Sequence, residues 1–282
     1  GRRWSALLII GPPGSRSSPP LGAGVWFDDP MTAALETHRA RLGDGAIYNG
    51  LWMMSAAPEL ATIGAAAGFD YVCLDLQHGL ARSGDVVRLS DAVRAHGTAL
   101  VTARVAANRF TEIGLLADAG IEAIIIPLID SVADAEAAVA ALDYPSRGGR
   151  RSWGPTAEIL TGQVRDSRAA RPLLFVMIET AEALAAVEDI CAVPGVDGVY
   201  VGPADLAFAV GTVPGRPNDA HAEALVRIRT AADAAGIVPG IHCSTGAEAK
   251  LREEQGFRFI TSASDIGAAG RALREDLEAA RS

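Results

Sequence analysis

The stretch YVCLDLQHG, residues 71–79, opens with Tyr71, Val72, Cys73 and Leu74, apolar or β-favouring residues in unbroken succession. A strand with one wet face alternates apolar and polar residues. A continuous apolar run instead marks a strand covered on both faces, which is the condition of a parallel strand under helices. The run then ends in Asp75, Gln77 and His78, and Gly79 breaks it. A carboxylate and an imidazole three residues apart at the end of a buried strand have two readings. They serve a turn, or they form the lip of an active site.

The same grammar continues along the chain. Strand-like runs occupy residues 46–52, 70–76, 98–104, 121–127, 173–179, 196–202, 237–243 and 257–262. Ala-, Leu- and Glu-rich stretches with helical spacing separate them, at 57–67, 84–96, 109–119, 131–142, 181–192 and 219–235. Strands alternating with helices define βαβ units, and eight such strands predict a (β/α)8 TIM barrel. A doubly wound open sheet is the alternative, but no GxGxxG or Walker-type loop supports it. Between 142 and 173 lies YPSRGGRRSWGPT (144–156), whose Arg147, Arg150 and Arg151 suit a solvated loop as well as an anion-binding or subunit-contact loop.

Composition narrows the functional classes. Hydrophobic residues make up 49% of the 282 and charged residues 21%, enough for a sizeable core, and the formal net charge is −9. An acidic surface argues against nucleic acid or an anionic membrane as partner. A local group of arginine and metal can still receive an anionic substrate. Cys73, Cys191 and Cys243 are odd in number and show no CxxC spacing, which argues against a disulfide framework or zinc knuckle and for a reducing, cytoplasmic setting. No apolar run approaches the ~18 residues of a membrane span. The first thirty residues, GRRWSALLIIGPPGSRSSPPLGAGVWFDDP, lack any sustained period, and their apolar stretch at 6–10 is shorter than the ~7–15 residues of a signal peptide's core. The expectation is a disordered or non-native extension over 1–30 and a single barrel domain over 31–282.

A barrel places its chemistry at the carboxyl ends of its strands. Strand ends here carry Asp75, Gln77 and His78, then Arg104, Glu179, the turn Gly202–Pro203–Ala204 with Asp205, His242, and Ser262. Each has a plain alternative. Glu179 can cap the following helix, although Thr180 caps it with less desolvation; Asp205 can be an N-cap. Two carboxylates on adjacent strand ends are the usual way to hold Mg2+ or Mn2+, with water and substrate oxygens completing the shell. Arg104 can pair structurally or fork onto a carboxylate or enolate. His78, with Asp75 to fix its tautomer, suits an acid–base unit. His242, in apolar surroundings, reads as structural. The chain's one lysine, Lys250, lies in a helical segment, which argues against Schiff-base chemistry.

These residues and their neighbours resemble the HpcH/HpaI aldolase family, metal-dependent class II aldolases acting on pyruvate and related 2-oxo acids. The matching pieces are FDYVCLDLQHG (69–79), TARV with Arg104, LADAGIEAIIIPLIDS (116–131), YPSRGGRRSWGP (144–155), MIET (177–180) and VDGVYVGPADLA (196–207). The resemblance implies a (β/α)8 barrel, a homo-oligomer (a hexamer built as a trimer of dimers), and Glu179 and Asp205 as ligands of Mg2+ or Mn2+, with Co2+ a further option. It implies Arg104 on the 2-oxo acid and its enolate, His78 as acid–base residue with Asp75 as orienting partner, and Gly202, Pro203 and Ala204 against the substrate carboxylate. The implied reaction is reversible cleavage of a 4-hydroxy-2-oxo acid to pyruvate, or a related 2-oxo acid, and an aldehyde. Two departures stand out: Gln77 where many members carry Glu, and Met177 where many carry Gln. Rival expectations are an oxaloacetate-type decarboxylase on the same site and a non-catalytic ligand-binding barrel.

Overall fold

The computed structural model describes residues 30–154, 171–216 and 218–282. The expectation for residues 1–30 therefore lies outside the described residues, save that Pro30 opens the first helix. Eight parallel strands close into a barrel in sequence order: β1 Tyr48–Met53, β2 Tyr71–Asp75, β3 Leu100–Arg104, β4 Ala123–Ile126, β5 Leu173–Ile178, β6 Gly198–Val201, β7 Val238–His242 and β8 Phe259–Ser264. The helices are α1 Pro30–Gly43, α2 Pro58–Ala66, α3 Val86–Arg94, α4 Phe110–Asp118, α5 Val132–Leu142, α6 Ala181–Ala185, α7 Val187–Cys191, α8 Pro203–Ala209, α9 Asp219–Ala235, α10 Gly246–Glu254 and α11 Asp265–Arg281. The helix expected over 181–192 is thus two short ones, because Ala186 leaves helical geometry at φ −104° and ψ 12°.

The apolar runs divide by parity. Successive strand residues point to opposite faces. In β5, Leu173, Phe175 and Met177 belong to a cluster inside the barrel, while Leu174, Val176 and Ile178 pack outward under the helices. Tyr71 and Cys73 of β2, Tyr48 and Trp52 of β1, Tyr200 of β6 and Val238 of β7 are likewise interior. Each fully buried large side chain of this kind stabilises the fold by about 1.5–3 kcal/mol. The Phe259 ring stacks on Tyr71 at 3.9 Å and Phe175 at 4.4 Å between centroids, and the Tyr71 and Tyr200 hydroxyls meet Thr261 Oγ1 at 2.9 and 2.6 Å. Gly50 makes this filling possible, since a Cβ there would lie 2.0 Å from the Tyr71 ring.

At the amino-terminal end α1 closes the barrel with Leu35 and Leu42. Arg39 and Arg171 both pair with Asp197, and Arg171 also lies 3.1 Å from Asp143. Ser262 is a correction: it lies within β8, which runs on to Ser264, and it is skipped where the β1–β8 register shifts between Gly50 and Leu51, its hydroxyl donating to Asn49 Oδ1 at 2.6 Å. All three cysteines are free and buried, and no helix among the described residues is long and apolar enough to cross a membrane.

Candidate active site

Inward parity carried to the strand ends selects the mouth of the barrel: Trp52, Asp75, Arg104, Glu179, Gly202 and His242 all continue interior positions. Parallel register sets Asp75 of β2 beside Arg104 of β3. Asp75 is fully buried and Arg104 is 8% exposed. Asp75 Oδ1 accepts from Arg104 Nε at 2.9 Å and from the backbone N–H groups of Gln77 and His78 at 3.0 and 3.2 Å. Its Oδ2 accepts from Arg104 Nη2 at 2.6 Å and Trp52 Nε1 at 3.2 Å. Burial pushes the Asp75 carboxyl up, but Arg104, the His78 N–H and Trp52 outweigh it and hold the group below its ordinary value.

The hydrogen bonds of Asp75 to described residues do not include the His78 ring. Both oxygens of Asp75 are committed to Arg104, Trp52 and the backbone, so the carboxylate orients the arginine and reaches His78 only through its main chain. Arg104 in turn spends Nε and Nη2 on Asp75 and cannot fork freely onto a ligand. Its Nη1 makes no hydrogen bond to a described residue. The guanidinium also lies 5.0 Å over the Trp52 ring, a cation–π contact that further fixes it. His78 is exposed on the same rim.

Glu179 follows β5 and is 3% exposed. The capping alternative is decided by Thr180, whose hydroxyl accepts from the Ala183 N–H at 3.0 Å. Glu179 Oε1 accepts from the Leu128 N–H at 3.0 Å. Leu128 holds φ at 54°, the one positive φ outside glycine among the described residues. Such a conformation costs about 1–3 kcal/mol, and strain of this kind collects at functional sites. Burial pushes the Glu179 carboxyl above its ordinary value; Asp205 and Asp130 add to this, while the Leu128 N–H and Arg104 oppose it. Asp205 sits exposed in the first turn of α8, whose cap position is Gly202. Gly202 lets the two segments approach: a Cβ there would lie 2.5 Å from Glu179 Oε2 and 3.1 Å from the Met177 methyl.

This donor set fits a hard divalent cation bound in an open manner. Glu179 Oε2 accepts no hydrogen bond from a described residue, and its neighbour Asp205 brings a second carboxylate. Among the described residues no group of three or more His, Cys, Asp or Glu forms a closed cage. An open pair suits an ion that keeps positions for water and substrate oxygens.

The strand-end pattern does not single out Trp52, Leu128 or Asp130, and it places His242 at the end of β7 as a structural residue. Asp130 accepts from the Thr180 hydroxyl at 2.5 Å, which ties the β4 loop to the end of β5. Strand parity was the available signal for Trp52 and His242; nothing local marks Leu128. In the 144–154 loop, Arg151 pairs with Asp118 at 2.8 Å and stacks over Tyr144, while Trp153 is exposed. The remainder of that motif, from Pro155, lies outside the described residues.

With the charged inward-facing residues Asp75, Arg104 and Glu179 gathered at the carboxyl-terminal mouth of a closed parallel barrel, the chain has the organisation of a barrel enzyme. It belongs to the HpcH/HpaI aldolase/citrate lyase family, whose profile matches residues 49–272, and is a lyase of that family. A hydroxypyruvate/pyruvate aldolase of Paraburkholderia phytofirmans is 35% identical over 252 residues, covering 86% of this chain and 97% of its own. A 4-hydroxy-2-oxovalerate aldolase of Novosphingobium aromaticivorans is 31% identical, covering 74% of this chain and 82% of its own. The crystal structure of an HpcH/HpaI aldolase/citrate lyase family protein from Burkholderia cenocepacia matches with a TM-score of 0.80 at 30% identity, over 87% of this chain and 99% of that one.

Proposed function

We propose that this enzyme is a divalent-metal-dependent aldolase that reversibly cleaves 4-hydroxy-2-oxo acids to pyruvate, or a related 2-oxo acid, and an aldehyde. The observation that carries this is that buried Glu179 lies within electrostatic reach of both Asp205 and Arg104, in a barrel mouth that has no lysine. The chain's one lysine, Lys250, is a surface residue of α10 paired with Glu253 at 2.9 Å. Enolate charge must therefore be met by cations and not by an imine. The names of the relatives support the 2-oxo acid half of the substrate.

Glu179 and Asp205 would hold the ion, Mg2+ or Mn2+. When bound, it supplies Lewis-acid polarisation of the 2-oxo group, which makes the C3–C4 bond breakable and the C3 proton removable. Arg104, held by Asp75 and Trp52, offers Nη1 where negative charge develops on the substrate oxygen. His78 takes the proton of the C4 hydroxyl in cleavage and returns it to the new alkoxide in synthesis. The Gly202–Pro203–Ala204 turn presents its backbone to the substrate carboxylate. Trp52 walls the mouth against water. The buried free thiols support a reducing, cytoplasmic setting, and exposed Phe208, Leu273 and Leu277 support a homo-oligomer, a hexamer in this reading.

Pyruvate release from a 4-hydroxy-2-oxo acid, with Mn2+, Mg2+ or EDTA, tests the proposal on the parent and Glu179→Ala. The expected result is release that needs metal and is abolished by EDTA and by the substitution. Release surviving both overturns it, and turnover of oxaloacetate alone, with no aldehyde chemistry, points to a decarboxylase.

A further inference from the structure

The chain contains five histidines, and their rings divide into two groups. His38 Nδ1 meets the Tyr48 hydroxyl at 2.8 Å, His221 Nε2 meets Pro203 O at 3.2 Å, and His96 Nδ1 meets Ala92 O at 3.2 Å. Those three spend a ring nitrogen on the fold. The rings of His78 and His242 make no hydrogen bond to a described residue, and both lie at the carboxyl-terminal mouth. His78 already has a role in the proposed reaction; His242 has none.

His242 is the last residue of β7 and continues its inward parity. Its half-buried ring meets the Trp52 ring edge-on, with centroids 4.9 Å apart at 85°. Trp52 also bonds Asp75 and underlies Arg104, so the imidazole borders the arginine that would receive the 2-oxo acid. Leucine or phenylalanine would pack against the indole with no polar group to desolvate. Burial, then the Arg104 charge, pushes the His242 ring down to about 4, with Glu248 and Asp75 pulling it up. At neutral pH it is therefore an uncharged imidazole with one donor and one acceptor. A polar ring kept unspent beside an anion-binding arginine is suited to a neutral hydrogen-bonding partner.

Resting on the aldolase reading, we propose that His242 is a specificity-determining residue that hydrogen-bonds a hydroxyl group of the substrate. That hydroxyl is carried either on C3 of the 2-oxo acid, as in hydroxypyruvate, or on the aldehyde next to its carbonyl, as in glycolaldehyde. In either case the site favours the hydroxylated substrate over its deoxy counterpart, because a site built to bond a hydroxyl leaves a polar group unpaired when the hydroxyl is missing.

The test compares kcat/KM of the parent, His242→Leu and His242→Gln in two arms. One arm sets hydroxypyruvate against pyruvate with a fixed aldehyde; the other sets glycolaldehyde against acetaldehyde with pyruvate. Dissociation constants for hydroxypyruvate and pyruvate are measured on the same proteins by tryptophan fluorescence. We expect a hydroxyl preference in the parent that falls about tenfold in His242→Leu, the scale of one lost neutral hydrogen bond. Turnover of the deoxy substrate falls less than that of its hydroxylated counterpart, and His242→Gln, which keeps a donor and an acceptor, restores part of the preference. The arm that responds identifies which substrate carries the hydroxyl. A parent with no preference in either arm, a preference that survives in His242→Leu, or an equal loss on both substrates (a packing role against Trp52) overturns the proposal. If no pair turns over, the aldolase reading fails, and the ratio of the two dissociation constants still decides whether His242 senses a hydroxyl on C3 of the 2-oxo acid; an unchanged ratio in His242→Leu then overturns the proposal.

Discussion

Replacing Asp75 with asparagine isolates the buried pair on which the rest of the mouth depends. Asparagine keeps the shape, and its oxygen can still accept from the Gln77 and His78 N–H groups. Its amide, however, would face Arg104 Nη2 and Trp52 Nε1, two donors that now meet oxygen at 2.6 and 3.2 Å. Arg104, 8% exposed, would keep its charge and the Nε bond to the remaining oxygen but lose its anionic partner. Breaking a buried ion pair from one side costs about 3–5 kcal/mol. At about 2–4 °C per kcal/mol for a domain of this size, Tm should fall by about 6–20 °C. The folded-state pKa of Asp75 is depressed, so its stabilising contribution is present above the unfolded value of about 3.9 and lost as pH falls through the folded value. The deficit of Asp75→Asn should therefore be level from pH 6 to 8 and shrink only under strongly acidic conditions. Urea unfolding of metal-free Asp75→Asn, Arg104→Met and the double variant measures the pair directly. The double variant should recover at least about 2 kcal/mol relative to the sum of the singles. Additive losses, with coupling under about 0.5 kcal/mol, would refute the pairing and restore a role for Asp75 through the His78 ring.

Glu179→Gln should stabilise the metal-free protein, since the folded-state pKa is raised and the penalty for ionising it grows as pH climbs above about 4.3. A gain of about 2–4 °C in Tm at pH 8 that vanishes toward pH 4, with Mn2+ affinity by calorimetry lower by about a hundredfold, is expected; unchanged affinity refutes the ligand assignment. Gly202→Ala drives a methyl against Glu179 Oε2 and should weaken Mn2+ binding at least tenfold while costing about 1–3 kcal/mol of stability; normal binding would mean the approach is not needed. Leu128→Gly keeps the N–H and the positive φ and should retain Mn2+ affinity within about threefold, whereas Leu128→Pro, with φ locked near −65° and no N–H, should lose at least tenfold. Equal affinities in these two variants would remove Leu128 from the positioning of Glu179.

The order of amino acids alone specifies the alternation of strand and helix and the set of residues at the strand ends. Strands covered on both faces must be apolar throughout, and runs such as LLFVMI at 173–178 can be read without knowing their neighbours. Glu179, Arg104, Asp75 and His78 were visible as breaks in such runs. Partner choice was not visible, because it depends on the register between strands, a property of the closed barrel and not of any segment. Only that register sets Asp75 beside Arg104, so that the carboxylate serves the guanidinium and not the nearby imidazole ring. Closure likewise brings Trp52 of β1 against His242 of β7, residues 190 positions apart in the chain, and turns an ordinary-looking histidine into a polar group on the wall of the site. The left-handed turn at Leu128 is the extreme case: a leucine carries no local signal for positive φ, and in that conformation its N–H meets the Glu179 carboxylate across the fold.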